Sequence, residues 1–288
     1  LASEALDAKL IDKIGYRDEF DEAVDDEFSD ADTVELAEYG HYPAPPNTPK
    51  ATKRVAIVHA VGEIARGRND DPFASGDGIA SETTAEAIRD AADDEDIAAI
   101  ILRIDSPGGS YVASDTIWRE VVLAKEAKPV IVSMGNTAAS GGYFIAMPAD
   151  RIFAQPATIT GSIGVIMGKL VFAGAFEKLN VNWERIAFGE SAGTFSAISE
   201  FTPAELSRLN EMIDATYADF TTKAAQGRGR EIADLEKSAR GRVWTGADAL
   251  NAGLVDELGG FTRAIDYTKE KLGVPDEPVM LVAFPKPE

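Results

Sequence analysis

The stretch AAIILRIDSPGGS (residues 98–110) decides the fold class. Its first seven residues are nearly all apolar and rich in isoleucine, a pattern typical of a strand buried on both faces of a sheet. Proline and a glycine pair then end the strand, at the position where an open α/β sheet binds its ligands. The stretch therefore predicts a central strand with a candidate binding turn at its carboxyl end.

Patterns on either side of this stretch extend the sheet. Further apolar runs and the helical patterns between them fall at 54–60, 81–92, 111–125, 130–133, 140–147 and 151–154. Strands separated by single helices are joined by right-handed crossovers and are therefore parallel. Thr202 and Pro203 mark the start of a long helix that ends at Gln226, and three shorter helices follow. We expect an α/β fold with a mostly parallel sheet and a helical C-terminal extension.

Three glycine-bearing turns follow apolar runs. They are DSPGGS (105–110), AASGGY (138–143) and TGSIG (160–164). Glycine pairs let the backbone approach a ligand and turn its N–H groups inward, as an oxyanion hole requires. Ser140 stands at a predicted helix start, where the helix dipole favours negative charge on its hydroxyl. It is the candidate nucleophile, although tight turns capped by serines share this pattern.

A serine nucleophile needs a base. The chain has two histidines, His41 in a proline-rich segment and His59 in the first predicted strand. A Ser-His-Asp triad is hard to build from them, so a lysine whose pKa is lowered by burial is the alternative. Beyond the candidate nucleophile the chain offers Lys169 and Lys178, and then no lysine before Lys223.

Composition narrows the classes of partner. The chain carries 49 acidic against 28 basic residues, for a net charge of -21, and such a field repels phosphates, so we expect no nucleic-acid partner. Cysteine is absent and histidine scarce, so we expect neither a metal nor a cofactor. The apolar run 164–176 contains Lys169 and is shorter than the roughly 18 residues of a membrane span. It predicts a buried strand or an apolar surface loop.

A segment near the start of the chain recurs near its end. ALDAKLIDKIG (5–15) and ALNAGLVDELG (249–259) share six of eleven positions, and similarity over so long a period indicates duplication. We expect residues 1–38 to be the tail of a preceding repeat, 39–53 a proline-rich linker and 54–288 the nucleophile-bearing domain. Since the chain opens with neither methionine nor a targeting signal, we expect the protein to continue upstream.

The ordered set of motifs resembles the signal peptide peptidase A family. VWTG and GLVDELG, within 243–259, complete the set, and the resemblance covers roughly residues 54–273. It implies a crotonase-like α/β fold related to Clp protease, and a serine peptidase with Ser140 as nucleophile. It further implies a lysine base that is hydrogen-bonded and aimed by Ser162. The oxyanion hole implied by the resemblance is lined by Gly108, Gly109 and Gly141.

The lysine is where this sequence departs from the short members of the family, which carry it downstream of the serine in the same domain. Here the corresponding segment GESAGTFSAI (189–198) contains none. Long members are tandem duplications in which the first repeat supplies the lysine and the second the serine. Resemblance to the long type implies that the base lies in an upstream repeat.

The long type has further implications for partners and location. It implies a homotetramer, held to the membrane by an anchor upstream of this chain. It places the protein on the periplasmic face of the bacterial inner membrane. Its substrates are apolar signal-peptide fragments that remain after protein export.

Two other functions remain compatible with the residues. Crotonase-like folds also serve acyl-CoA hydratases and isomerases, which use a similar oxyanion hole to stabilise an enolate. Those enzymes usually need glutamates in the cavity, and none stands beside the three glycine turns. A non-catalytic assembly module that has lost its lysine is the other alternative, although Ser140 and Ser162 argue against it.

Overall fold

A computed structural model describes residues 2–14, 17–28, 51–69, 78–189 and 191–285. The chain divides into two units, Leu1–Pro49 and Lys50–Glu288. Within the described part of the smaller unit lie the helices α1 (Ala2–Asp7) and α2 (Arg17–Glu27). Residues 39–50 of the predicted linker, with His41, lie outside the described residues.

The larger unit alternates strands with helices. Its described strands are β1 (Lys53–Val61), β2 (Ile64–Ala65), β3 (Ile79–Ala80), β4 (Ile97–Ser106), β5 (Val130–Ala139), β6 (Arg151–Ala154), β7 (Ile159–Gly161), β8 (Val243–Thr245), β9 (Glu257–Leu258) and β10 (Val279–Phe284). Its described helices are α3 (Ser81–Asp93), α4 (Tyr111–Ala127), α5 (Gly141–Ala146), α6 (Ala173–Lys178), α7 (Pro203–Gly227), α8 (Ile232–Leu235), α9 (Gly246–Asn251) and α10 (Phe261–Lys271).

The main sheet has the order β10-β1-β4-β5-β6-β9, and every neighbouring pair in that order is parallel. Beside these strands, β7 pairs in parallel with β5, and β8 pairs with β7 in the antiparallel direction. Strand β4 lies at the centre, and its isoleucines at 100, 101 and 104 are fully buried, as expected for a strand covered on both faces. The predicted α/β class, mostly parallel sheet and helical C-terminal extension are confirmed.

The two faces of the sheet bury different helices. One face packs α3, α4 and α5 into the larger apolar core, which includes Ile88, Ile117 and Phe144. The other face is covered by α10, whose Ala264 packs with Phe153 and the alternate residues of the strands. Burial on both sides of the strands holds their carboxyl ends in fixed positions, and the glycine turns emerge from those ends.

The predicted apolar run 164–176 is a surface loop and not a buried strand. Ile166 is 98% exposed and Leu170 is 73% exposed, and the loop leads into the short helix α6. Helix α7 begins as predicted, because Thr202 accepts from the Glu205 N–H while the Glu205 side chain accepts from the Thr202 N–H.

The two copies of the repeated segment share their local structure over residues 5–12 and 249–256. Helices α1 and α9 occupy equivalent positions of the repeat, and two residues after the end of each helix comes a residue with positive φ, Lys9 at 56° and Gly253 at 69°. The next N–H returns to an equivalent carbonyl, from Leu10 to Ala5 at 2.8 Å and from Leu254 to Ala249 at 2.9 Å. Leu254 is fully buried, whereas Leu10 is 78% exposed. That residues 1–38 end a preceding repeat stays a prediction.

Candidate active site

Ser140 lies at a sharp turn between β5 and α5. Its backbone has φ 52° and ψ -118°, a combination that non-glycine residues rarely adopt and that clusters at functional sites. Its N–H donates to the Gly161 carbonyl at 2.9 Å, and its own carbonyl accepts from the Phe144 N–H at 2.9 Å. Among the residues that the structure describes, none hydrogen-bonds the Ser140 hydroxyl. The backbone hydrogen bonds therefore fix the position of Ser140, while its hydroxyl oxygen remains available for reaction.

The first glycine turn lies directly against this serine. Gly108 has φ 106°, and a β-carbon placed on it would lie 2.6 Å from the Gly141 nitrogen and 2.8 Å from the Ser140 β-carbon. Real β-carbons essentially never approach so closely. The close approach of β4's turn to the candidate nucleophile therefore requires glycine at this position.

Two N–H groups beside Ser140 lack a protein acceptor. The Gly108 N–H donates to Ser106 Oγ at 3.1 Å, but within the described part of the chain neither the Gly109 nor the Gly141 N–H has a partner. The Gly109 nitrogen lies 3.1 Å from the position of a β-carbon on Gly141. The turns of β4 and β5 thus bring together two free donors, the arrangement that an oxyanion needs.

The third turn, which carries Ser162, adjoins Ser140 through Gly161, whose carbonyl accepts from the Ser140 N–H. Gly161 and Ser162 both have positive φ, 76° and 50°, and the Ser162 N–H donates to the Arg242 carbonyl at 2.8 Å. Trp244 of β8 covers Gly161, where an added β-carbon would lie 2.6 Å from Trp244 Cδ1. The Ser162 hydroxyl has no hydrogen-bond partner among the described residues, so it is available to orient another group.

A cavity of about 370 Å³ opens beside Ser140 and Gly141. Of its described lining residues, none carries a charged side chain. The one titratable group is Tyr111, whose hydroxyl donates to Asp219 at 2.5 Å, and burial together with that contact raises the pKa of Tyr111 far above its usual range. The lining is otherwise largely apolar: Val112, Phe144, Val165, Ile166, Met167, Met212 and Phe220.

The lysines downstream of Ser140 are engaged elsewhere or exposed. Lys169 Nζ donates to the Thr194 carbonyl at 2.8 Å and lies 4.2 Å from the centre of the Phe201 ring. Lys178 is exposed on α6. His59 is also exposed and lines a different cavity. None of these side chains lines the cavity beside Ser140, so a base for this serine is absent from the described cavity lining.

Lys223 is held by two carboxylates. Its Nζ lies 2.5 Å from Asp115 and 2.8 Å from Asp219. Burial lowers the pKa of Lys223, but the two carboxylates outweigh burial and leave the pKa raised. An amine that binds its proton more tightly is unsuited to act as a general base.

The motif GLVDELG supports helix α5, a role beyond the family resemblance that this motif indicates. Tyr143 is fully buried and donates to the Leu254 carbonyl at 3.0 Å, and burial raises the pKa of this phenol. Asp256 accepts from the Ile152 N–H at 2.8 Å and pairs with Arg228 at 2.5 Å. The motif thereby fixes the helix that follows Ser140. The sequence signal that could have suggested this contact is Tyr143, a tyrosine that directly follows a glycine pair.

Comparison with known proteins gives consistent matches. The sequence model described as Peptidase family S49 matches residues 123–275. The chain is 40% identical over 237 residues to the chloroplastic serine protease SPPA of Arabidopsis thaliana, covering 81% of this chain and 35% of that protein. It is 33% identical over 237 residues to a putative protease of Synechocystis sp., covering 82% of this chain and 81% of the relative. The chain thus spans about a third of the length of the Arabidopsis relative.

Among solved structures, a ClpP1 mutant from Listeria monocytogenes matches 73% of this chain and 94% of its own. The TM-score is 0.47 and the sequence identity 17%.

Proposed function

The chain belongs to peptidase family S49, and from that premise we propose that it carries the nucleophile of a serine peptidase whose lysine base lies in an upstream repeat. One observation carries the proposal. Ser140 has a free hydroxyl at the wall of an apolar cavity, beside the unpartnered N–H groups of Gly109 and Gly141, and no base among the described lining residues. The name of the Arabidopsis relative, a serine protease, supports the choice of nucleophile.

The chemistry is an acyl transfer. The Ser140 oxygen bonds to the peptide carbonyl carbon while its proton passes to the neutral amine of the lysine. The N–H groups of Gly109 and Gly141 donate to the oxyanion that forms, and Gly108 permits their approach. The ammonium then protonates the leaving amine as the C–N bond breaks. Water, deprotonated by the same amine, hydrolyses the acyl-serine ester and frees Ser140.

Ser162 is proposed to orient the lysine. Its hydroxyl is unpartnered among the described residues, and it follows Gly161, whose carbonyl is hydrogen-bonded to the Ser140 N–H. An oxygen in this place accepts from a lysine amine that enters the cavity and points the nitrogen lone pair at the Ser140 hydroxyl. A neutral amine at physiological pH requires a lysine desolvated by its surroundings, and the apolar lining of the cavity supplies such surroundings.

The substrates are proposed to be apolar peptides, in particular signal-peptide fragments left after export. The largely apolar lining, which includes Val165, Met212 and Phe220, favours aliphatic side chains over charged ones. The likeness to the long family members leads us to propose a membrane anchor upstream of this chain; no described helix is itself long and apolar enough to cross a bilayer. The proposal places the assembled homotetramer on the periplasmic face of the bacterial inner membrane.

Labelling with a peptidyl phosphonate tests the proposal. Phosphonates form a covalent bond with an activated serine oxygen, so the protein containing an upstream repeat is treated and the modified residue located by mass spectrometry. We expect the label on Ser140 and none in Ser140→Ala. Ser162→Ala is the matched serine variant, and it should be labelled on Ser140 at a reduced rate. Absence of any label would favour an acyl-CoA enzyme or an assembly module instead.

A further inference from the structure

We propose that the Asp105 carboxylate is a positioning group that fixes the candidate oxyanion turn relative to Ser140. The inference rests on the proposed function and deepens it. Asp105 opens the motif DSPGGS and is the next-to-last residue of β4, and the acyl-transfer chemistry described above leaves its side chain without a role.

Strands β4 and β5 lose their regular pairing beside Asp105. Ile104 pairs with Met134, and the next pair is Ser106 with Ala138. Along this interval β4 advances by two residues (104 to 106) and β5 by four (134 to 138). The additional residues of β5 form a bulge opposite Asp105, and there β5 also exchanges β6 for β7 as its other neighbour.

The Asp105 carboxylate fills this bulge. Its Oδ2 accepts from the Asn136 backbone N–H at 3.2 Å and from the Asn136 side-chain amide at 3.3 Å, and its Oδ1 accepts from the Thr137 N–H at 3.0 Å. A β-carbon on Gly135 would lie 2.6 Å from Oδ2. In the bulge, the N–H groups of β5 no longer pair with strand carbonyls, and the Asp105 carboxylate accepts from them instead. A charged acceptor makes stronger hydrogen bonds than a neutral one.

Two threonines hold the bulge from the side of β7. Thr158 Oγ1 donates to the Gly135 carbonyl and Thr160 Oγ1 donates to the Ala138 carbonyl, each at 2.7 Å. Both threonines are buried. Two N–H groups of the bulge therefore donate to Asp105, and two carbonyls in and beside it accept from the threonines, so these polar groups are paired and restrain the shape of the bulge.

The shape of the bulge determines the geometry of the site. Ser106 and Ala138, which pair directly after it, stand two residues before Gly108 and Ser140. The register regained at this pair therefore places the glycine turn of β4 against the candidate nucleophile. Because a slip of strand register moves every later residue, loss of the carboxylate should displace the Gly109 N–H relative to Ser140. A displacement of ~1 Å costs on the order of 100-fold in rate.

The test is Asp105→Asn in the protein that contains an upstream repeat, with hydrolysis of an apolar fluorogenic peptide as the assay. The amide keeps one acceptor and turns a donor toward the N–H groups of the bulge. We expect kcat to fall roughly 100-fold while KM stays within about threefold. Affinity for a peptide boronate, which forms a tetrahedral adduct on a serine, should fall with kcat/KM. Asn136→Ala is the control, since it removes only the 3.3 Å side-chain contact and should leave kcat within about threefold.

A second variant, Gly135→Ala, keeps the inference testable if Asp105→Asn folds poorly. Gly135→Ala places a methyl group against the carboxylate and should also lower kcat. In the double variant, the methyl group of Gly135→Ala meets an Asp105→Asn side chain that is already displaced. The losses of kcat from the two substitutions should therefore be less than additive.

The outcomes separate this inference from the proposed function. Unchanged kcat and boronate affinity in Asp105→Asn, with or without a lower Tm, would leave Asp105 a purely structural residue and overturn the inference alone. Fully additive effects of Asp105→Asn and Gly135→Ala would overturn it as well. Ser140→Ala is measured alongside, and retention of activity in that variant would overturn the proposed function itself.

Discussion

The hydroxyl of Tyr143 donates a hydrogen bond to the carbonyl of Leu254 at 3.0 Å. The contact joins two motifs that lie 111 residues apart, and both residues are fully buried. Because α5 follows Ser140 directly, this contact anchors the candidate nucleophile to the C-terminal extension.

Tyr143→Phe should therefore lower stability without changing the chemistry. The variant leaves the Leu254 carbonyl buried and unpaired, which costs about 1–3 kcal/mol. Urea unfolding should show this loss, while kcat per phosphonate-labelled site remains close to wild type. A large fall in kcat at unchanged stability would show instead that the hydroxyl acts in the reaction.

Gly108→Ala should abolish most of the activity for a steric reason. The methyl group would lie 2.6 Å from the Gly141 nitrogen, so the turn must move away from Ser140, and we expect kcat/KM to fall by ~100-fold or more. Gly67→Ala is the matched control, since Gly67 has a similar φ of 103° but no atom of the described residues within 4 Å of the added carbon. The control should be destabilised by backbone strain of about 1–3 kcal/mol and keep its kcat. Equal kinetic losses in both variants would contradict the steric argument.

Arg228→Leu should be among the most destabilising changes of a charged residue. The Arg228 side chain is 7% exposed and its partner Asp256 is 23% exposed, so removal of the cation leaves a partly buried carboxylate unpaired, at about 3–5 kcal/mol. Arg208→Leu breaks the pair with Glu211, whose side chains are 71% and 61% exposed, and should cost less than about 1 kcal/mol. Denaturant unfolding of both variants checks the contrast, and similar values would refute it.

Glu257 should contribute a stability that disappears in acid. Its hydrogen bond to Arg151, with further support from Arg263, holds the pKa of Glu257 below its ordinary value of 4.5. A carboxyl with a lowered folded-state pKa stabilises the fold above its unfolded pKa, and this contribution is lost as the pH falls through the folded pKa. The stability difference between wild type and Glu257→Gln should thus be constant from neutral pH down to the ordinary pKa and shrink below it. A difference that grows in acid would contradict this assignment.

Much of the fold follows from local patterns. The buried strand at 98–104, the crossover helices and the cap at Thr202 are predictable because apolar runs and capping residues act over a few positions. The surface position of the run 164–176 is not predictable, since an exposed apolar loop and a buried strand have the same composition.

The candidate site could be predicted in part. Three glycine turns in one sequence point to one sheet edge. The structure places Gly109 and Ser140 at one cavity, with Ser162 next to Gly161, whose carbonyl accepts from the Ser140 N–H. That the Gly108 N–H is engaged by Ser106, while the Gly109 N–H has no partner in the described part of the chain, depends on the local turn geometry. The bulge at Asp105 depends on pairing between distant strands, and no short-range pattern encodes it.

The central claim is that the base for Ser140 comes from an upstream repeat. The most direct measurement compares hydrolysis of an apolar fluorogenic signal peptide by residues 1–288 alone and by the protein that includes the upstream repeat, each with Ser140→Ala and Lys169→Ala variants. The account predicts hydrolysis only when the upstream repeat is present, lost in Ser140→Ala and retained in Lys169→Ala. Full, Ser140-dependent hydrolysis by residues 1–288 alone would contradict it and place the base within this chain.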